Sequence, residues 1–325
     1  MPSEVQYSLD ELTSFIEKDR NPSIAFYGGE PLLRIDLIKE IMNRIEAEHY
    51  ILQTNGLLLN KLPKEYARRF SSILVSLDGI KEVTDYHRGR VYDRVMENVK
   101  LLQKYYRNEL VARMVATEKT DIFRDVRHLL NLGFTHVHWQ INAVWVPEDF
   151  WSDFPGWMRN YNLGISRLVN LWLESMQKGK VLGIVPFLGI TTAILNGKSL
   201  QPPCGSGKNS FAITTDGRVL ACPICGDMDW NNLGDIWNGF KSNLSLLDPC
   251  NSCDVLDLCG GRCLFFNRER LWSENKFNIV CSATKHLIME IKRILPEIQN
   301  LIEGEVINLK DIIYPKFNNT TEIVP

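Results

Sequence analysis

Eight cysteines carry the densest chemical information in the chain, and all of them lie between Cys204 and Cys281 of a 325-residue sequence. Cys204 is followed by twelve residues, then Gly217, four more residues and Cys222. Cys225 comes next, then Cys250-x2-Cys253-x5-Cys259-x3-Cys263, and Cys281 closes the set. A secreted disulfide scaffold is normally short and cysteine-dense throughout. Thiols crowded into one quarter of a longer chain point instead to metal or cluster ligation. Thiolates are soft donors, and four of them complete a cubane iron–sulfur cluster. Two zinc sites of four thiolates each are the alternative, because Cys-x2-Cys pairs also serve zinc. That alternative accounts for Cys222-x2-Cys225 and Cys250-x2-Cys253 but not for the five- and three-residue spacings.

Local signals show how these thiols are presented. Phe211–Thr214 and Arg218–Ala221 flank Asp216-Gly217, a hairpin signature that brings Cys204 and Cys222 to one side. Gly260-Gly261 eases a tight wrap of the backbone beside Cys259 and Cys263.

The rest of the chain must supply the scaffold. Its 45% hydrophobic and 23% charged residues are those of an ordinary globular protein. The formal charge of −2 calls for neither nucleic acid nor an anionic membrane as partner. Met1–Asp10 has no basic region followed by an apolar run, and no apolar stretch approaches the ~20 residues of a membrane span. The expected location is cytoplasmic.

Helix and strand patterns alternate over the first two-thirds. Ser8-Leu9-Asp10-Glu11 matches a capping box before Leu12, Phe15 and Ile16. The apolar run Ile24–Tyr27 stops at Gly28-Gly29, and Ile35, Ile38, Met42 and Ile45 repeat with the helical period. Tyr50–Gln53 stops at Asn55-Gly56, Tyr66–Phe70 reads as helix, and Ile73–Leu77 ends at Asp78-Gly79. Val95, Val99 and Leu102 mark a helix, Leu110–Ala116 a strand, Ile122–Leu132 a helix, His136–Ile141 a strand and Ile165–Lys178 an amphipathic helix. Five short apolar strands separated by helices predict an α/β fold with a parallel sheet, either doubly wound or a partial barrel. Sites in such folds assemble at the carboxyl ends of the strands, where the polar breaks fall. The chain opens on a helix, whereas such units usually begin with a strand.

Phe26-Tyr27-Gly28-Gly29-Glu30-Pro31-Leu32-Leu33 resembles the Gly-Gly-Glu-Pro motif of the radical S-adenosylmethionine (SAM) enzymes. Gln53-Thr54-Asn55-Gly56 and Val75–Gly79, followed by His87-Arg88-Gly89, resemble the next strand ends of that family. The cysteine pattern resembles the family's SPASM domain. Further resemblance, to an archaeal-type group of peptide-modifying radical SAM proteins, runs through Val137–Gln140, Ile184–Phe187, Cys259–Cys263 and the 318–325 tail. It implies a partial (β/α)6 TIM-like barrel lacking its first strand over 1–190. A Cys-rich SPASM domain with a β-hairpin and a C-terminal helix follows over 191–300, and a tail over 301–325.

The resemblance also implies residue roles. Gly28, Gly29, Glu30, Pro31, Asn55, Ser76 and Asp78 would handle SAM, with Glu30 near its ammonium group and Arg113 facing its carboxylate. Each also has a plainer reading as a turn former or core residue. Cys250, Cys253, Cys259 and Cys281 would hold one auxiliary 4Fe–4S cluster, and Cys204, Cys222 and Cys263 the other. Cys225 would complete the second cluster, unless it is a spare core thiol or leaves an open iron. His138 and Gln140, at alternate inward positions, face the substrate or satisfy core hydrogen bonds. The partners implied are a peptide or protein substrate, abstracted at a hydrogen atom by a 5′-deoxyadenosyl radical, and an electron donor such as a ferredoxin or flavodoxin. A noncatalytic iron–sulfur or zinc-binding recognition module is the alternative.

The family's catalytic Cys-x3-Cys-x2-Cys motif is absent, because no cysteine precedes Cys204. Only 27 residues precede Gly28, so one missing N-terminal segment would account for both the absent strand and the absent motif. A start assigned too late, a trimmed chain and a natural loss compete as causes. The catalytic 4Fe–4S cluster is therefore expected only in an N-terminally extended form, and little or no SAM cleavage without it.

Overall fold

The computed structural model describes residues 2–143, 146–197, 201–315 and 324–325. The elements run α1 (Leu9–Ile16), β1 (Ser23–Phe26), α2 (Ile35–Arg44), β2 (His49–Thr54), α3 (Lys64–Ala67), β3 (Phe70–Ser76), α4 (Lys81–Arg88) and α5 (Tyr92–Gln103). They continue with β4 (Glu109–Ala116), α6 (Ile122–Asn131), β5 (His136–Ile141), α7 (Phe154–Met176), β6 (Gly183–Ile184) and α8 (Val185–Asn196). The C-terminal third adds β7 (Ala212–Ile213), β8 (Arg218–Leu220), β9 (Asn232–Asp235), β10 (Gly239–Phe240), α9 (Leu256–Cys259), α10 (Leu264–Glu269), α11 (Glu274–Glu303) and α12 (Leu309–Ile312).

Strands β1 to β6 pair in chain order, all parallel, as a six-stranded partial barrel. Period-two alternation assigns the two faces. Tyr50, Leu52, Ile73, Val75, Leu110, Ala112, Met114, Val137 and Trp139 join the main core with the outer helices. On the opposite face Ile51, Leu74 and Val111, with Ala25 beside them, form a separate apolar plug. Above that plug the same face turns polar.

The capping box is formed: Ser8 Oγ accepts from Glu11 N, and Glu11 Oε2 accepts from Ser8 N at 2.7 Å. Three expectations change. A sixth strand, β6, is too short for any periodicity, and its Gly183 lies so close to β5 that a Cβ there would come within 2.0 Å of Thr135 O. The helix expected over Tyr66–Phe70 is confined to α3, because Phe70 begins β3 and is wholly buried. The helix expected from Ile165 begins at Phe154, since Pro155 and Gly156 occupy its first turn under a cap in which Asp153 Oδ1 accepts from Gly156 N at 2.9 Å. Proline is tolerated there because that N–H has no helical acceptor. Helix α8 also runs through residue 190, so the barrel's last helix closes at Asn196.

The expected hairpin is β7–β8, extended by β9 and β10 into a four-stranded antiparallel sheet. The expected C-terminal helix is α11, thirty residues long and packed against α7. Of the 318–325 tail only 324–325 falls among the described residues, and Val324 there is wholly buried. No helix among the described residues is long and apolar enough to cross a membrane. Leu287 lies on the buried face of α11 at 1% exposure. Leu287→Ala is expected to destabilise the chain by about 2–5 kcal/mol, read as a lowered denaturant midpoint at unchanged slope.

Candidate functional site

The barrel mouth gathers most of the residues singled out in the sequence. After β1 the chain passes through Gly28 at φ +153° and Gly29, and a Cβ at either would meet no atom within 4 Å. Their backbone thus borders open space. Glu30 follows, and both its oxygens are already engaged. Oε1 accepts from Leu32 N at 3.1 Å and Thr54 Oγ1 at 2.8 Å, and Oε2 accepts from Asn55 N at 2.7 Å. Glu30 therefore ties the end of β1 to the end of β2, with Pro31 opening the short turn after it. It braces the loop, and the ammonium contact that the resemblance implies would be made beside these bonds. Asn55 shapes the same loop, its Oδ1 accepting from Leu57 N at 2.9 Å.

Asp78 is likewise engaged within the protein. It is 1% exposed, and its two oxygens accept from Arg88 Nε at 2.6 Å and Arg88 Nη2 at 2.8 Å. Its Oδ1 also accepts from Val115 N at 2.9 Å. Asp78 thus joins the β3 loop, α4 and β4, and its oxygens are committed to protein donors.

The inner-facing polar residues form a row across the sheet. Ser76 is level with Arg113, Arg113 with His138, and Val115 with Gln140. Gln53 projects from the same face of β2, two residues beyond the plug residue Ile51. His138 is fully buried. Gln53 Oε1 and Gln140 Nε2 are buried with no hydrogen-bond partner among the described residues. An unmet buried polar atom costs about 1–3 kcal/mol. A polar ligand seated between this row and the Gly28-Gly29 backbone would meet both atoms, so the residues present fit such a ligand. Sequence reasoning placed Gln53 at a strand end but overlooked its direction, which the i, i+2 relation to Ile51 carries.

Seven of the eight thiols fall into two groups. Burial pushes the Cys259 thiol up to about 12, with Cys250 and Cys281 adding to the shift. Burial likewise pushes Cys281 up to about 11, with Cys250 and Cys253 adding. Cys250, Cys253, Cys259 and Cys281 are thus within electrostatic reach of one another. The wrap between them needs Gly261, at φ +78°, where a Cβ would lie 2.3 Å from Leu246 Cδ1.

In the second group Cys222 and Cys225 pack with Phe265, and Cys263 lies against them. Asn231 fixes the Cys222–Cys225 loop: Nδ2 donates to Cys222 O at 2.9 Å and Cys225 O at 2.8 Å, while Oδ1 accepts from Cys222 N at 2.8 Å. Ser206, two residues after Cys204, donates to Ala221 O at 2.7 Å, beside Cys222. Among the described residues no three His, Cys, Asp or Glu side chains stand close enough together to hold a single ion.

The Glu30 brace yields a direct test. Glu30→Gln replaces one acceptor by an NH2 group facing an N–H or O–H donor, so a loss of about 1–3 kcal/mol is expected in equilibrium unfolding. Unchanged stability would show that the brace carries no weight.

Comparison with known proteins adds the family. Residues 3–132 match the radical SAM superfamily. A cysteine-type anaerobic sulfatase-maturating enzyme of Clostridium novyi is 24% identical over 309 residues, covering 84% of this chain and 81% of that protein. Among solved structures, an anaerobic sulfatase-maturating enzyme with bound AdoMet and a peptide superposes with a TM-score of 0.69 at 20% identity, over 94% of this chain and 91% of that one. SuiB of Streptococcus suis bound to S-adenosylmethionine gives a TM-score of 0.51 at 14% identity, over 79% and 65%. Residues 3–132 thus resemble the radical SAM superfamily, and along most of its length the chain resembles the anaerobic sulfatase-maturating enzymes.

Proposed function

We propose that the chain acts in modifying a peptide or protein, with SAM at the barrel mouth and two auxiliary 4Fe–4S clusters in the C-terminal third. The observation that carries this reading is the sorting of seven thiols into two groups, together with two unmet amide atoms, Gln53 Oε1 and Gln140 Nε2, on the inner face of the barrel. Cys250, Cys253, Cys259 and Cys281 would hold one cluster, and Cys204, Cys222, Cys225 and Cys263 the other. Four thiolates on one zinc ion stand only about 3.8 Å apart, given zinc–sulfur bonds near 2.3 Å. A cubane spreads its ligands over a wider, four-iron body.

When bound, SAM and a reduced cluster supply hydrogen-atom abstraction from carbon; the protein supplies binding and orientation. The backbone of Gly28 and Gly29 would lie against the methionine portion, where no side chain intrudes. Ser76 and Arg113 would meet its polar groups, with Arg113 opposite a carboxylate. Gln53 and Gln140 would donate to or accept from the ligand with their unmet atoms. Glu30, Asn55 and Asp78 would act at one remove, holding the loops that frame the site. Residues 1–203 contain no cysteine, so none of them fits as a ligand of a catalytic cluster, and none of these roles involves one.

The peptide reading is supported by the sulfatase-maturating enzyme whose structure holds a peptide with AdoMet. A ferredoxin or flavodoxin would supply electrons.

Iron and acid-labile sulfide analysis of the anaerobically purified chain, with absorption and EPR spectra, tests the reading. About eight irons per chain are expected. In Cys281→Ala the count should fall toward about four, because one group loses a ligand while the other keeps its own. A colourless protein carrying about two zincs would overturn the assignment.

A further inference from the structure

The chain as a whole carries a formal charge of −2, yet cations gather in one groove between the outer helices α6 and α7. Its upper part is a cavity of about 470 Å³ bounded by Ile80, Asp121, Phe123, Arg124, Arg127 and Arg167. Its lower part, about 270 Å³, is bounded by Leu171, Glu174, Lys178, Lys180 and Leu182. Arg127 and Asn131 line both, so the two parts adjoin. Ile80 follows the carboxyl end of β3 and Asp121 that of β4, whereas Leu182 directly precedes β6. The groove therefore starts beside the rim of the barrel mouth and runs down the outside of the barrel.

Arg124 is neutralised within the protein. Its Nη2 donates to Asp125 Oδ2 at 2.9 Å and its Nε to Asp125 Oδ1 at 3.0 Å, and Asp125 is fully buried. Asp121 is occupied as the cap of α6, its Oδ1 accepting from Arg124 N at 3.0 Å. The other cations are different. The guanidiniums of Arg167, from α7, and Arg127, from α6, lie 3.9 and 5.8 Å from the centre of the same Phe123 ring. Neither forms an ion pair or a side-chain hydrogen bond with a described residue, and nor do the ammonium groups of Lys178 and Lys180. An aromatic face holds a guanidinium without consuming its N–H donors, so the forked donors stay open to a carboxylate. Two like charges at one ring repel, and an anion seated between them would offset that repulsion.

We infer that this groove docks an extended, carboxylate-bearing polypeptide segment of a partner protein. The cations select an anion, and the rest of the lining selects a polypeptide. Phe123, Leu130, Leu171 and Leu182 are interspersed among the charges, which suits carboxylates spaced by apolar side chains. A nucleic acid carries a phosphate at every nucleotide, and Asp121 and Glu174 would repel so dense a run. The ten residues of α6 rise ~15 Å, the reach of about five extended residues at ~3.3 Å each. Arg127 and Arg167 would clamp one carboxylate, and Lys178 and Lys180 would face another. The groove shares no residue with the polar row or with either group of thiols, so the inference rests on neither assignment.

Fluorescence anisotropy of the full chain with a labelled peptide of alternating glutamate and leucine, about six residues long, tests the proposal. The wild type is expected to bind it and to ignore a peptide of alternating lysine and leucine. Arg127→Glu combined with Arg167→Glu should weaken binding at least about tenfold, and Lys178→Glu roughly threefold. Iron content should stay at the wild-type value in both. No binding by the wild type, or equal affinity in the wild type and the double variant, would overturn the proposal. Tighter binding of a single-stranded oligonucleotide of the same length, lost in the double variant, would overturn the polypeptide assignment in favour of phosphate. Both arginines are exposed, so their replacement removes no core packing. Should charge reversal still lower the denaturant midpoint, Arg127→Gln with Arg167→Gln decides. Binding weakened by about threefold or more then supports the proposal, and unchanged affinity overturns it.

Discussion

The packing of α11 on the barrel is the constraint from which the C-terminal third takes its geometry. Thirty residues of helix reach about 45 Å. Their buried face, from Phe277 through Val280, Leu287 and Ile291 to Ile298, belongs to the same core as the barrel helices. Two polar contacts fix its position along α7: His286 Nε2 lies 3.0 Å from Asn162 O, and Arg293 Nη2 donates to Asn170 Oδ1 at 2.8 Å. Cys281 sits near the start of this helix, so its place is set by the barrel. Cys250, Cys253 and Cys259 arrive on short turns with little regular structure of their own. The stacked Phe266 and Phe277 rings, 4.8 Å apart and 6° from parallel, clamp α10 to α11 and hold those turns against the helix. Ligands that must converge on one body are thus split between a rigid helix and a wrapped loop, joined through aromatic packing.

The barrel obeys a different constraint. A parallel sheet must be covered on both faces. Helices cover the outside, and the small plug of Ala25, Ile51, Leu74 and Val111 closes one end of the inside. The loops around the polar row are stiffened by carboxylates, the half-buried Glu30 between β1 and β2 and the buried Asp78 between β3, α4 and β4. Charge-assisted hydrogen bonds of this kind hold backbone to well within an ångström, which a ligand site requires.

Much of this was legible in the sequence because it rests on local patterns. Five strands showed as apolar runs ended by turn residues, and the Ser8 cap and the Asp216-Gly217 hairpin showed as short motifs. The cysteine spacing named the candidate ligands before any geometry was known. Strand β6 was hidden because two residues carry no period, and the first turns of α7 because Pro155 and Gly156 read as breakers outside the context of the Asp153 cap. The protein donors around Glu30 and Asp78 were hidden, since a motif names a residue but not the donors that tertiary packing sets against its oxygens.

The account's central claim is that two separate groups of thiols each hold four irons. Anomalous diffraction at the iron edge, from anaerobically grown crystals of this chain, tests it most directly. The account predicts two compact sets of iron peaks. One should be bounded by Cys250, Cys253, Cys259 and Cys281, and the other by Cys204, Cys222, Cys225 and Cys263. Single peaks that appear at the zinc edge, or one set of irons shared across both groups of cysteines, would contradict it.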